Sequence, residues 1–345
     1  MDPNKTIYFK ELIFQLIDNK IDKINADPEF FKNISNEDFN KFINALKLNK
    51  SIKTLKLIKC DLSQEQYDKI FNIVQNNKVI TKLNIIDYNI SLYPNINNIY
   101  NYYNEINQID DLNEYKDKIN ILHNKILQSL INKNPLYNMI QNNINLKKLR
   151  LNVSKNFFVN QILINLLKQN KNIISLNLTT TCDLKQLTEI LTYNNTITEL
   201  EIICSLKYIN ETDFENFCKC IEQNINLKHL KIWTVKKNCV NNKINFIKDT
   251  LYNALVNNKN IEYITFKGTD FIIKNEHIDF DYIIKIFQNN SNIKKINFKL
   301  FNNKDYFKFT EYLKSTNNSK QQIKISYNKN NSKSIIMEIK NIKNN

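Results

Sequence analysis

Glycine is almost absent from this sequence: 345 residues contain one glycine, four prolines, three histidines and one tryptophan. Without glycine-rich segments the chain cannot form the backbone loop that wraps a nucleotide phosphate. The histidines, His123, His229 and His277, are far apart, and no nucleophile, base and orienting group can be proposed from the sequence. The sequence therefore predicts a protein that is not an enzyme and that binds no cofactor.

Metal-binding and membrane signals are also missing. The six cysteines form no Cys-x-x-Cys pair, so we expect reduced thiols and no metal site. No run of apolar residues approaches the length of a membrane span, and the first twenty residues lack a signal-peptide core. These absences predict an intracellular, cytoplasmic protein with no membrane contact.

Arginine is scarce although the chain is strongly basic. The net charge is +15, and Arg150 is the single arginine among 49 basic residues. Such a charge favours an acidic partner. However, lysine and the very abundant asparagine, isoleucine and tyrosine all have A/T-rich codons, so an A/T-rich genome explains the composition equally well. Both interpretations stay open.

A nine-residue pattern is repeated along most of the chain. It consists of Asn, two variable residues, an aliphatic, two variable residues, and two aliphatics that flank one variable residue, as in NKNIISLNL from Asn170. Further copies are NKSIKTLKL, NKVITKLNI, NINLKKLRL, NNTITELEI, NINLKHLKI, NKNIEYITF and NSNIKKINF, and a degenerate copy begins at Asn317. Most copies are 24 to 34 residues apart, a period typical of a solenoid.

Each copy predicts a strand followed by a helix. The closing aliphatics alternate with variable residues, which is the period of a strand, and the next segment changes to helical spacing, as in Phe39, Phe42, Ile43 and Leu46. Asn at the end of each helix would tolerate the left-handed conformation that often terminates helices. One repeat buries too little apolar surface to fold alone, so neighbouring repeats must stack.

The unit resembles the leucine-rich repeat of the ribonuclease-inhibitor type over about residues 37 to 325. The resemblance implies an α/β solenoid, shaped as a horseshoe, with a parallel sheet on the concave face and helices on the convex face. The basic charge and ordinary cysteine content differ from ribonuclease inhibitors, which are acidic and cysteine-rich. The related GTPase-activating proteins have an acidic tail that this chain lacks.

The pattern divides the chain into five segments. Residues 1–36 are predicted to form an N-terminal helical cap with a weak strand at Ile24 and Ala26, and residues 37–85 the first repeats. Residues 86–142 are an insertion or a degenerate repeat, with a long helix near 111–132. Residues 143–326 are further repeats, and 327–345 a capping hairpin. Three helix starts have capping residues: Ser63 with Gln66, Asn134 with Pro135, and Thr212 with Glu215.

The variable strand residues should project from the concave face, where a partner would bind. In the middle of the array they combine acidic, basic and aromatic side chains, a composition typical of protein-recognition hot spots. The predicted partner-binding residues are Glu199, Glu201, His229, Lys231, Trp233 and Tyr263. An unidentified protein is therefore the predicted partner of a non-enzymatic scaffold. The alternative for Trp233 is packing into the loop that follows it.

Two alternatives remain. A polyanion such as nucleic acid could bind basic side chains of the early repeats, although no nucleic-acid motif is present. The residues of that alternative are Lys53, Lys56, Lys82, Lys147, Lys148 and Arg150. The second alternative is a regulator of a small GTPase or of another enzyme.

Overall fold

The computed structural model describes residues 3–32, 34–86, 134–152, 157–179, 184–205, 209–235, 241–267, 289–300, 322–328 and 335–342, with a few isolated positions between 273 and 286. The chain forms two compact units, Met1–Asn172 and Ile173–Asn345. Strands and helices alternate along the first unit and, in the second unit, as far as residue 267.

The first unit starts with helix α1 and a short strand. Its helices are α1 (Pro3–Ile17), α2 (Asn36–Leu48), α3 (Gln64–Asn76), α4 (Pro135–Asn142) and α5 (Phe157–Gln169). Its strands are β1 (Lys23–Ala26), β2 (Thr54–Ile58), β3 (Lys82–Ile86) and β4 (Lys148–Asn152). These strands pair in parallel and in chain order.

The second unit continues the alternation. Its helices are α6 (Leu184–Tyr193), α7 (Glu211–Gln223) and α8 (Asn241–Asn257). Its strands are β5 (Ser175–Thr179), β6 (Glu199–Ser205), β7 (His229–Val235), β8 (Tyr263–Lys267), β9 (Ile273–Lys274), β10 (His277–Ile278), β11 (Lys295–Leu300), β12 (Gln322–Asn328) and β13 (Ile335–Ile342). Strands β5, β6, β7, β8 and β11 are parallel neighbours, and β9 pairs with β10 in a separate antiparallel ladder.

The core of each unit lies between its strands and its helices. Leu55 and Leu57 in β2 and Leu200 and Ile202 in β6, the closing aliphatics of their patterns, are buried, whereas Lys56 and Glu201 between them are partly exposed. Large side chains from the helices, such as Phe42 and Phe217, fill the space behind the strands. The prediction of an α/β leucine-rich-repeat solenoid, with a parallel sheet on one side and helices on the other, is confirmed.

The repeated asparagine does not act as predicted at the end of the helix. At Asn49, Asn77, Asn143 and Asn224 the backbone is extended, with φ between −68° and −81°. Among the described residues other than glycine, a positive φ occurs only at Asn19 and Lys59. The left-handed explanation is therefore wrong, and the reason for asparagine must lie in its side chain.

The asparagine side chains connect one repeat to the next. The Oδ1 atom of Asn258 accepts hydrogen bonds from the backbone N–H groups of Asn260 and Ile261, both at 2.7 Å. Its Nδ2 atom donates to the carbonyl of Ile221, at the end of the previous helix, at 2.7 Å. Asn49, Asn143, Asn170, Asn224 and Asn290 repeat the link to the previous helix end. This asparagine ladder gives carbonyls near the end of each helix a side-chain hydrogen bond from the next repeat.

Two of the three predicted helix caps are confirmed. Ser63 and Gln66 form a reciprocal capping box at α3, and Asn134 caps α4 with Pro135 in its first turn. The third prediction is wrong. Helix α7 begins one residue after Asn210, whose side chain accepts from the N–H of Asp213, and Thr212 lies inside the first turn.

The ninth copy of the pattern does not add another parallel strand. Its strand, β12, pairs antiparallel with β13, and β13 pairs antiparallel with β11. The C-terminal hairpin thus places its second strand against the last repeat and its first strand at the edge. In the 86–142 segment, α4 is described, whereas the predicted helix near 111–132 lies outside the described residues.

The described cysteine side chains form no disulfide. Cys60 and Cys218 are buried, and burial raises the pKa of the half-buried Cys220 thiol. Cys220 is therefore protonated at neutral pH and a weak nucleophile. No helix among the described residues has both the length and the apolar character needed to cross a lipid bilayer.

Candidate functional site

The predicted partner-binding residues come together on three neighbouring strands of the second unit. The register of β6, β7 and β8 places Glu199, His229 and Tyr263 side by side in one row across the strands. Glu201 and Lys231 are aligned in the next row. Trp233 lies two residues after Lys231 in β7 and therefore on the same face of the strand. All six side chains are partly exposed and lie on the face opposite the buried leucines. We call this surface the mixed face.

The charges of the mixed face are paired diagonally. The Lys231 ammonium forms an ion pair with Glu199, one row away on β6, although Glu201 is its direct neighbour in the register. Glu199 and Lys231 are more than two-thirds shielded from solvent. Glu201 has no ion-pair partner within the part of the chain that the structure describes. It therefore presents a free carboxylate beside a neutralised pair.

The aromatic part of the mixed face is ordered by ring contact. The imidazole of His229 and the ring of Tyr263 have centroids 4.4 Å apart and planes inclined at 50°. Trp233 is partly exposed beyond them on β7. Rings held against each other lose little conformational freedom when a partner covers them, which favours them as contact residues.

Asn177 is a polar side chain that the sequence did not single out. It lies on β5, in register with Glu201, and is 7% exposed. Neither its Oδ1 nor its Nδ2 atom has a hydrogen-bond partner among the residues that the structure describes. Such groups are normally satisfied by water or by a bound molecule. The sequence signal was available, because Asn177 occupies the same pattern position as Glu201 and Lys231.

The basic residues of the polyanion alternative come together in the first unit. Lys82 of β3 is paired in register with Lys148 of β4, and Lys56 with Asn84. Lys53 and Lys147 precede β2 and β4 directly. Strands β2, β3 and β4 contain no acidic residue. We call this surface the basic face. It also includes Arg150, whose buried Nε atom has no hydrogen-bond partner in the described part of the chain.

Comparison with known proteins shows no family for this chain. No family model matches the sequence. No curated protein matches it either. Among solved structures, the chain is similar to one described as "Leiomodin-1 Actin-Binding Site 2 (ABS2)", with 12% identity and a TM-score of 0.20, over 89% of this chain and 96% of that one. This level of similarity carries no information about partners, so function has to be argued from the two faces themselves.

Proposed function

We propose that this protein is a non-enzymatic interaction scaffold, with leucine-rich repeats of the ribonuclease-inhibitor-like subclass, which binds a protein partner on the mixed face. The observation that supports the proposal most directly is the contact between His229 and Tyr263 beside the free carboxylate of Glu201. Interface hot spots combine aromatic anchors with a few polar groups at their centre in this way. The proposal needs no cofactor and no catalytic group.

The neutralised Glu199–Lys231 pair supports a protein partner over a highly charged one. Because Glu199 and Lys231 already neutralise each other, a partner that covers the pair buries no unpaired charge on either residue. Glu201 then remains to select a donor or a basic side chain on the partner. Such a face distinguishes one protein partner from another by the shape of the contact surface and by the charge of Glu201, as protein interfaces do.

We expect the double variant Trp233→Ala, Tyr263→Ala to lose partners that the wild-type chain captures from native cell extract. Removing two aromatic anchors at the centre of an interface should weaken binding by about thirtyfold or more. The measurement is affinity capture read by mass spectrometry, followed by titration of each lost protein in purified form. Circular dichroism and the unfolding midpoint check that the variant is folded.

Tyr193→Ala is the matched control, since Tyr193 is an exposed aromatic at the end of helix α6, away from the strands. It should capture the same proteins as wild type. Equal recovery of all proteins by wild type and by the double variant would show that the mixed face is not the binding site.

The basic face supports a second candidate, the binding of a polyanion such as nucleic acid. Cations on three adjacent strands without an intervening carboxylate create a positive potential that attracts phosphate backbones. This candidate involves the first unit only and is independent of the mixed face.

For that candidate we expect single-stranded nucleic acid to bind at low salt and to dissociate as salt rises. The triple variant Lys56→Gln, Lys82→Gln, Lys148→Gln should flatten the dependence of log K on log salt by about two units, since each lost phosphate contact removes about 0.7 to 0.9 from the slope. Electrophoretic mobility shift and fluorescence anisotropy measure this. The control Lys41→Gln removes a charge from helix α2, where Lys41 is paired with Glu37. Absence of a shifted band at low salt would exclude the candidate.

A further inference from the structure

Three strands that are neighbours in the sheet of the second unit are each preceded by a charged residue, and these residues form a short chain of ion pairs. Lys228, Glu262 and Lys294 stand directly before β7, β8 and β11. Glu262 Oε1 lies 3.3 Å from Lys228 Nζ, and its Oε2 lies 2.7 Å from Lys294 Nζ. The hydrogen bond from Lys294 lowers the pKa of Glu262, so the carboxylate is ionised at neutral pH.

Backbone hydrogen bonds hold these three residues in line. The N–H of Glu262 donates to the carbonyl of Lys228 at 2.9 Å, and the N–H of Lys294 donates to the carbonyl of Glu262 at 2.8 Å. Their side chains therefore start from fixed positions at the amino ends of the strands. The mixed face begins one residue later, at His229 and Tyr263, and shares no residue with this chain of ion pairs.

A cavity of about 370 Å³ opens beside this chain of ion pairs. It is lined by Lys228, Lys259, Asn260, Glu262, Ser291, Asn292, Ile293 and Lys294. Three ammonium groups face one carboxylate there, and the other polar groups are two amides and a hydroxyl, all of which can donate hydrogen bonds. The lining thus carries an excess of two positive charges and of donors.

The ammonium groups keep donors to spare. Each can donate three hydrogen bonds, and the ion pairs with Glu262 use one from Lys228 and one from Lys294. Lys259 Nζ lies 3.1 Å from the carbonyl oxygen of Val256, which carries no formal charge. A cation would find a single carboxylate that is already shared by two lysines. An anion with several oxygen acceptors would find donors around the cavity.

From this arrangement we infer that the cavity binds phosphate groups, carried by a small soluble molecule or by a lipid headgroup. Phosphate oxygens would accept hydrogen bonds from Lys259, Lys228 and Lys294. Glu262, which is ion-paired with the last two, competes with the phosphate for their ammonium groups and so limits the affinity. The inference is independent of the mixed face and of the partner proposed for it.

The test is calorimetric titration of sodium tripolyphosphate into the full chain at low ionic strength. Lys259→Gln should weaken binding about fivefold, the effect of one unit charge at close range in a solvent-exposed site. Glu262→Gln should strengthen binding by a similar factor, because it removes the competing carboxylate. A merely structural ion pair would not produce an increase in affinity. Lys219→Gln, which removes a charge from an exposed position on helix α7, should leave binding unchanged.

The source of the phosphate is tested separately with phosphatidylcholine vesicles that contain or lack phosphatidylinositol bisphosphate. If the wild-type chain sediments with the vesicles that contain the phosphoinositide and not with those that lack it, and if Lys259→Gln reduces the fraction that sediments, the cavity is assigned to lipid headgroups as well as to soluble phosphates. Failure of the wild-type chain to bind either tripolyphosphate or these vesicles would overturn the inference. Equal weakening by Lys219→Gln and Lys259→Gln would also overturn it, since binding would then depend on overall charge. The unfolding midpoint of each variant confirms that it is folded.

Discussion

Replacing Asn143 with alanine is expected to lower the free energy of unfolding by about 3 kcal/mol or more. Asn143 is 2% exposed, and its Oδ1 atom accepts from the N–H groups of Asn145 and Leu146 at 2.8 and 2.9 Å. Its Nδ2 atom donates to the carbonyl of Val74, in helix α3 of the preceding described repeat. Alanine removes all three hydrogen bonds. The buried Leu146 N–H then loses its acceptor, and the Val74 carbonyl keeps the longer hydrogen bond of 3.3 Å from the Asn77 N–H. Each buried polar group that loses its partner costs about 1 to 3 kcal/mol. Urea denaturation followed by circular dichroism measures the change.

Asn143→Gly distinguishes the two explanations of the asparagine. If asparagine were needed for a left-handed backbone, glycine would be at least as stable as the wild-type residue. The observed φ of −78° and ψ of 103° are extended, so glycine should destabilise about as much as alanine. Asn142→Ala is the control, because the exposed side chain of Asn142 donates to the side chain of Asn138 on the same helix and to no other described residue. It should change stability by less than about 0.5 kcal/mol. A stable glycine variant would contradict the role of the asparagine ladder.

The asparagine shows what the sequence could and could not predict. The position of Asn143 relative to Leu149 and Leu151 was enough to predict the strand, its register and its buried face, because period-two alternation has a single physical solution against a core. The partner of the Asn143 amide, Val74, is 69 residues earlier in the chain. No local pattern indicates such a contact. The repeated asparagine was therefore recognisable from the sequence, but its role was wrongly attributed to a left-handed backbone.

The mixed face was predictable as a set of positions but not as a set of contacts. Glu199, His229 and Tyr263 occupy the same position of the repeated pattern, which predicts that they lie in one row. The strand register agrees. The choice of Lys231 between Glu199 and Glu201 depends on a side-chain rotamer, which the pattern does not determine. The free carboxylate of Glu201 therefore emerged only with the structure.

The cavity at the amino ends of β7, β8 and β11 was missed for a related reason. Lys228, Glu262 and Lys294 stand directly before each strand, at a variable position of the repeated pattern for which the sequence analysis named no site. Stacking repeats brings this position into a row, as it does the strand positions. The alternation of Lys, Glu and Lys at one pattern position was the available signal.

Deleting residues 318–345 is expected to convert the chain into a self-associating species. The deletion removes β12 and β13, and β13 forms the ladder that covers β11 from Lys295 to Leu300. The exposed edge of β11 would then present unpaired N–H and C=O groups next to a repeat core, which is a template for pairing with another chain. Light scattering after size exclusion should show a mass that rises with concentration in the micromolar range, compared with the full chain.

Deletion of residues 343–345 alone is the control, since it leaves both hairpin strands in place, and its mass should follow that of the full chain. A peptide of residues 318–345, added in excess, should restore the mass of the full chain by pairing with β11. The antiparallel ladder makes this rescue specific, because its backbone register pairs Ile296 with Ile339 and Phe298 with Met337. If the truncated chain keeps the same mass as the full chain at every concentration, the hairpin does not protect the sheet edge. The ninth copy of the repeat would then have lost its parallel pairing for a reason other than capping.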